Sequence, residues 1–159
     1  DMQDENIYAN ALLWTVKNVC PQLREGIAEV NVPAKNFSCD LILASQADSN
    51  QKNTYYCKAL FQVKDGRLVY YLSNIRIESS AVIMKKITPM EKLQPDKKAS
   101  HKEIMDDFVQ VESQVLNKMF DFIVTNQLSP ITHWNEISIN KPVKGMTEDE
   151  CLLAFGKPH

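Results

Sequence analysis

Residues 54–78, TYYCKALFQVKDGRLVYYLSNIRIE, decide the fold of this chain. Two runs rich in aromatic and β-branched residues, Thr54–Lys64 and Arg67–Glu78, flank the dipeptide Asp65-Gly66. A two-residue Asp-Gly loop between such runs predicts a β-hairpin, because a type I′ turn requires positive φ at both central positions. The charged sequence Lys-Asp-Gly-Arg around the loop is therefore interpreted as a solvated turn, and no catalytic role is assigned to it.

The segments around this hairpin supply further strands and two helices. One helix is predicted from Asp4, its N-cap, to about Val19. A capping box formed by Ser100 and Glu103 begins a second, longer helix. Further strands are predicted at three segments: Ile27–Val32, Phe37–Ser45 and Ala81–Thr88. This order predicts an α+β fold for residues 1–126, in which an antiparallel sheet of four to five strands carries both helices on one face.

The remaining residues are predicted to form a linker and a short helix. Residues 127–144 include two prolines and are interpreted as the linker. A second capping box, at Thr147 and Glu150, predicts a helix that Gly156 ends. The sequence shows no partner for this helix, so residues 145–159 are interpreted as the start of a truncated second module.

Composition and charge argue against several classes of protein. The formal net charge of −2 and the pI near 5.9 are not those of a protein that wraps nucleic acid, which needs a large basic excess. No apolar run approaches the roughly eighteen residues that cross a bilayer, and no signal-peptide pattern is present. We therefore expect no nucleic-acid partner, and membrane attachment only through an anchor absent from this sequence.

The cysteines and histidines do not form a pattern typical of metal binding or catalysis. The spacings among the four cysteines are too wide for a zinc ribbon or a C-x-x-C motif, so free, buried structural thiols are predicted, with two disulfides as the alternative. The cysteines are Cys20, Cys39, Cys57 and Cys151. His101, His133 and His159 lack ligands at suitable spacing. We predict no catalytic residue, metal or cofactor, and a protein that is not an enzyme.

Two parts of the sequence resemble known bacterial families. TYYCKALFQVKDGRLVYYLSNIRIES, together with YANALLW at residues 8–14, resembles a family of exported proteins of unknown function with a TATA-binding-protein-like fold. The tail VKGMTEDECLLAFGKP, residues 143–158, is similar to the opening of the small lipoprotein of the outer-membrane barrel-assembly machinery. These resemblances imply a TATA-binding-protein-like fold and a periplasmic or cell-envelope location, and they bring no active-site residue.

The face of the hairpin opposite the predicted core mixes apolar and polar residues. Its apolar members are a candidate interaction face, because contiguous exposed apolar surface usually marks an interface. They are Tyr56, Leu60, Val69, Tyr71 and Ile75. The leading hypothesis is a non-catalytic module that binds a protein partner or a second copy of itself. In one alternative, residues 127–142 cover this face with Trp134 and Ile137; in another, the protein carries or transforms a small apolar ligand held between helix and sheet, beside Phe61 and Phe108.

Overall fold

The chain is an α+β protein whose strands follow one another across a single antiparallel sheet. The computed structural model describes residues 2–19, 26–44, 53–79, 87–89 and 98–157. The strands lie side by side in chain order: β1 Ile27–Asn31, β2 Asn36–Ala44, β3 Asn53–Lys64, β4 Arg67–Ser79 and β5 Ile87–Pro89. The helices are α1 Met2–Asn18, α2 Lys98–Thr125, α3 Trp134–Ser138 and α4 Glu148–Phe155. The predicted α+β class, with an antiparallel sheet, an N-terminal helix and later helices, is confirmed.

One predicted strand lies mostly outside the described residues, and one predicted helix begins at a different residue in the structure. Strand β5 is a three-residue strand that pairs with the end of β4, and residues 81–86 of the predicted fifth strand lie outside the described residues. Helix α2 begins at Lys98, so Ser100 lies inside the helix and is not its N-cap. The difference in α2 concerns the end of an element, which sequence patterns locate least well.

The β3–β4 turn has the predicted conformation and an unpredicted anchor. Asp65 and Gly66 adopt φ values of 53° and 73°, as a type I′ turn requires. The carboxylate of Asp4 accepts hydrogen bonds from the backbone N–H groups of Gly66, at 2.6 Å, and Asp65, at 3.1 Å. Helix α1 begins at Met2, so Asp4 lies within its first turn and the prediction of Asp4 as N-cap is wrong. Its carboxylate instead ties α1 to the hairpin.

Removing this anchor provides a direct test of its contribution. Asp4→Ala is expected to lower the free energy of unfolding by about 1–2 kcal/mol, because two hydrogen bonds to a charged acceptor are lost at a partly solvated site. Hydrogen exchange at the Gly66 amide should accelerate in this variant. Lys64→Ala, at the exposed end of β3, should change stability by less than about 0.5 kcal/mol. If the two variants had the same free energy of unfolding, the hydrogen bonds to Asp4 would not contribute to stability.

Contacts divide the chain into two compact units. Unit 1 comprises residues 1–39, 59–71 and 119–159, and unit 2 comprises residues 40–58 and 72–118. In unit 1, helix α1 is buried from Tyr8 through Val16. The Tyr8 ring contacts Phe37 of β2, with centroids 6.0 Å apart, and Trp134 of α3, with centroids 5.7 Å apart. Helix α1 therefore lies between the sheet and α3, which is why it has no extended solvent-facing stripe.

Helix α4 has partners within unit 1, contrary to the expectation from the sequence. It packs against α1 and α3, and its residues Leu153 and Ala154 are buried. Residues 119–159 belong to one unit without a boundary at residue 145. The division of the chain at residue 145, and a further module beginning there, stay predictions.

Unit 2 is organised around an aromatic and hydroxyl cluster. The Tyr55 ring packs edge-on against Phe108 of α2, with centroids 5.1 Å apart. The Tyr55 hydroxyl donates to the carboxylate of Asp107 at 2.6 Å, and it also lies 3.2 Å from the carbonyl oxygen of Ile104. Burial, followed by the hydrogen bond to Asp107, raises the pKa of Tyr55 far above its ordinary value. The cluster joins β3 to α2 through neutral tyrosine.

The cysteines are free thiols where the structure describes them. Cys39 and Cys57 are free and buried, which confirms the prediction for these two. Cys151 is free but exposed on α4, so the prediction of burial is wrong there. Burial, then the negative charge of Glu112, raises the pKa of Cys57 to about 11. Cys20 lies outside the described residues.

Candidate interaction surface

The hairpin in unit 1 presents three large apolar side chains to solvent. Leu60 of β3 is 37% exposed, and Val69 and Tyr71 of β4 are 41% and 61% exposed. Ala59, Phe61 and Val63, which alternate with Leu60 and Gln62 along β3, are buried, as the two-residue period of a half-buried strand requires. We call Leu60, Val69 and Tyr71 the outer patch.

The other face of the same strands is covered by helices. Phe61 stacks on Phe37, with ring centroids 5.0 Å apart, and lies 6.3 Å from the Tyr70 ring. Tyr70 in turn lies 6.4 Å from the ring of Phe120 in α2, and Phe37 contacts Tyr8 in α1. In unit 1, α1 and the C-terminal part of α2 therefore pack on the face of the sheet that carries Phe37, Phe61 and Tyr70, which we call the inner face. The outer patch lies on the opposite face.

Trp134 and Ile137, which would cover the outer face in one alternative, lie elsewhere. Trp134 donates from Nε1 to the carboxylate of Glu5 at 2.7 Å, and its ring contacts Tyr8. Ile137 is fully buried in α3, a helix that packs against α4. These side chains pack with the helices of unit 1 and leave Tyr71 exposed. The alternative in which Trp134 and Ile137 cover the outer face is therefore wrong.

In unit 2, the structure separates the two remaining members of the predicted face. Asn74 has a positive φ of 50°, and the alternation of β4 changes there. Beyond Asn74, Ile77 is buried and Ile75 is half-buried. These two residues are two positions apart in β4, so their side chains lie on the same face of the strand. The hydroxyl of Tyr56 donates to Glu78 at 2.9 Å, so Tyr56 lies on the same face of the sheet as Glu78. Glu78 is an odd number of positions from Ile75, so these two side chains point to opposite faces of β4. Tyr56 and Ile75 therefore do not share a face.

A polar cluster in unit 1 surrounds Glu150. This residue is 1% exposed, and its carboxylate accepts from the backbone N–H groups of Thr132 at 2.7 Å, His133 at 3.1 Å and Thr147 at 2.9 Å. His133 Nδ1 and the Thr132 hydroxyl also lie within hydrogen-bond distance. Burial by itself raises the pKa of Glu150, but the bonds from Thr147, Thr132 and His133 outweigh it and lower the pKa to about 2.

This cluster connects α4 to the segment before α3. The capping box predicted at Thr147 and Glu150 is present. The sequence pattern did not indicate that Glu150 would also bind residues 132 and 133, because those contacts come from a segment outside the box. His133, interpreted from sequence as a surface histidine, is partly buried against this carboxylate. With five donors around its two oxygens, Glu150 fastens α4 to the segment before α3.

The part of the chain that the structure describes shows neither a metal centre nor a membrane span. Among these residues, no group of three potential ligands could hold a metal ion. None of the helices described combines the length and the apolar composition that a membrane span needs. No family model, curated protein or solved structure matches this chain.

Proposed function

We propose that the chain is a non-catalytic protein-interaction module and that the outer patch is its contact surface. The observation that carries the proposal is the exposure of Leu60, Val69 and Tyr71 on one sheet face, while the helices of unit 1 pack on the other. Tyrosine is favoured at the centres of interfaces, because it offers a large apolar ring with one polar end. The partner that fits is a protein with a complementary apolar surface.

The chemistry of the buried groups supports a binding role over a catalytic one. The raised pKa of Cys57 keeps its thiol protonated near neutral pH, so it is a poor nucleophile. Glu150 is surrounded by donors from the chain itself. Neither of the two cavities described, of about 170 Å³ and 640 Å³, is lined by Phe61 or Phe108, where the carrier alternative would hold its apolar ligand. These features favour the interaction module over the carrier.

The proposal includes a fold type and a location. A sheet of consecutive antiparallel strands with helices on one face is compatible with a TATA-binding-protein-like fold. The periplasmic or cell-envelope location rests on the sequence resemblances described above. Binding is therefore best tested on protein isolated from the envelope fraction of the cells that make it.

Substitution of Tyr71 tests the contact surface. In Tyr71→Glu, a charge replaces the most exposed ring of the outer patch, and we expect partner binding or self-association to weaken by at least about tenfold. The readouts are sedimentation velocity for a second copy and quantitative mass spectrometry of co-purified proteins for another partner. The thermal midpoint should change little, since the side chain is exposed in the folded chain.

A matched control lies two positions along the same strand. Ser73 is exposed and polar, so Ser73→Glu adds the same charge outside the apolar patch and should leave binding unchanged. The proposed function is wrong if Tyr71→Glu retains the oligomeric state and every co-purified protein of the unmodified chain.

A further inference from the structure

A groove in unit 1 lies between the first strand and helix α3, away from the outer patch. Its volume is about 640 Å³, within the range of ligand sites. One wall is formed by β1 and the turn after it, from Glu29 to Pro33, together with Asn36. The other wall is formed by Trp134, Asn135 and Ser138 of α3. The residues that line this groove therefore include aromatic, amide, hydroxyl and carboxylate side chains.

The aromatic group of this groove is held in a fixed position. Trp134 donates from Nε1 to Glu5 at 2.7 Å, and its ring packs against Tyr8. The ring is thereby oriented by two side chains of α1 that do not line the groove. An indole that is already immobilised loses little entropy when a flat ligand surface packs against it.

The polar groups offer both donors and acceptors. The Oδ1 atom of Asn31 accepts from the backbone N–H of Ala34 at 3.1 Å, so its amino group is the donor that it can offer a ligand. Ser138 donates its hydroxyl hydrogen to the carbonyl oxygen of Asn135 at 2.7 Å, so its oxygen can accept. The exposed amide of Asn135 can do both. This combination matches a ligand with hydroxyl groups, each of which also donates and accepts.

Charge and backbone geometry disfavour other classes of ligand. Among the described residues that line the groove, Glu29 alone is ionisable, so these residues offer phosphates and carboxylates a negative group and no cation. Pairing of an added peptide strand with β1 is hindered, because β1 is short, bulged between Ile27 and Val30, and followed by Pro33. A neutral ligand with an apolar face and many hydroxyl groups fits best.

We propose that this groove binds a neutral saccharide, with one sugar ring packed on Trp134 and its hydroxyl groups bonded by the amides of Asn31 and Asn135. Asn36 and Ser138 supply further polar contacts, and Glu29 accepts from a hydroxyl at the strand side. This inference does not depend on the outer patch or on the identity of its protein partner.

Saturation-transfer NMR with soluble oligosaccharides tests the inference. The probes are maltotetraose, cellotetraose and chitotetraose, each at about 10 mM, a concentration that detects the millimolar affinity of a weak site. We expect at least one to receive saturation and to shift the indole N–H resonance of Trp134. Asn135→Ala combined with Ser138→Ala should weaken that binding at least fivefold without a change in thermal midpoint, because both side chains are exposed.

A control variant close to the groove shows whether the loss of saccharide binding is specific to the groove residues. Lys141→Ala, exposed after α3 and outside the groove, should leave saccharide binding unchanged. The inference is overturned if none of the three probes binds, or if binding persists undiminished in the double variant. It is also overturned if an unstructured peptide pool shifts the Trp134 resonance while the saccharides do not, since that result assigns the groove to polypeptide.

Discussion

Glu150→Ala is expected to lower the free energy of unfolding by about 3–5 kcal/mol, because three backbone N–H groups lose their common acceptor in a site of low solvent access. Those groups belong to Thr132, His133 and Thr147, all within 3.1 Å of the carboxylate oxygens. Removal of an acceptor costs more than the bonds themselves contribute, since the donors remain and cannot all be hydrated. Urea denaturation followed by circular dichroism measures the change.

Glu148→Ala provides the matched control. Glu148 begins the same helix and carries the same charge, but it is exposed, so its loss should cost less than about 0.5–1 kcal/mol through the helix dipole. The loss in the free energy of unfolding for Glu150→Gln should lie between those of Glu150→Ala and Glu148→Ala, because one amide oxygen retains part of the acceptor capacity. If Glu150→Ala were no less stable than Glu148→Ala, Glu150 would not fasten α4 to the segment before α3.

The same residue determines part of the acid sensitivity of the chain. The folded-state pKa of Glu150 is lowered from an ordinary value of 4.5 to about 2. A group with a lowered folded pKa contributes stability that is fully present above its unfolded pKa and is lost as pH falls through the folded value. Stability should therefore decrease between about pH 4.5 and pH 2 in the unmodified chain, and this contribution to the slope should be missing in Glu150→Gln.

The hairpin was predictable because its information is local. Asp65 and Gly66 are residues that tolerate positive φ, and the runs on either side alternate, so turn and strands could be located together. The anchor from Asp4 was not predictable in the same way. It joins residues about sixty positions apart, and the only signal at Asp4 was the tendency of aspartate to begin a helix.

The outer patch shows how far alternation alone can identify a surface. Alternation correctly located Leu60, Val69 and Tyr71 opposite the core, because the hairpin register is continuous there. It failed at Ile75, where Asn74 takes a left-handed conformation and changes the alternation of β4. Asparagine tolerates positive φ better than most residues, so the Ser-Asn pair inside the strand was a weak signal of this irregularity.

The position of residues 127–142 could not be decided from sequence. Trp134 and Ile137 were recognisable as apolar residues that need cover, but either face of the sheet could have supplied it. The hydrogen bond from Trp134 to Glu5 and the burial of Ile137 decide in favour of the helices of unit 1. These contacts depend on the tertiary arrangement. The sequence of the segment has no periodic pattern from which that arrangement could be predicted.

Leu153→Ala tests whether α4 is part of the unit 1 core. Leu153 is fully buried on a helix that packs against α1 and α3, so truncation should lower the free energy of unfolding by about 2–5 kcal/mol. Leu152→Ala is the natural control, because the same side chain is removed one position away, where it is only half-buried. Its cost should be about 1 kcal/mol or less. Urea denaturation measures both variants.

Hydrogen exchange separates the two interpretations of this helix. If α4 stabilises unit 1, the cavity left by Leu153→Ala should also accelerate exchange at buried amides of α1, such as those of Leu12 and Leu13, because α1 and α4 then open together. If α4 only begins another module, exchange should accelerate within α4 alone and the amides of α1 should keep their protection. The second result would contradict the packing described here, whereas the first would place α4 in the same cooperative unit as α1.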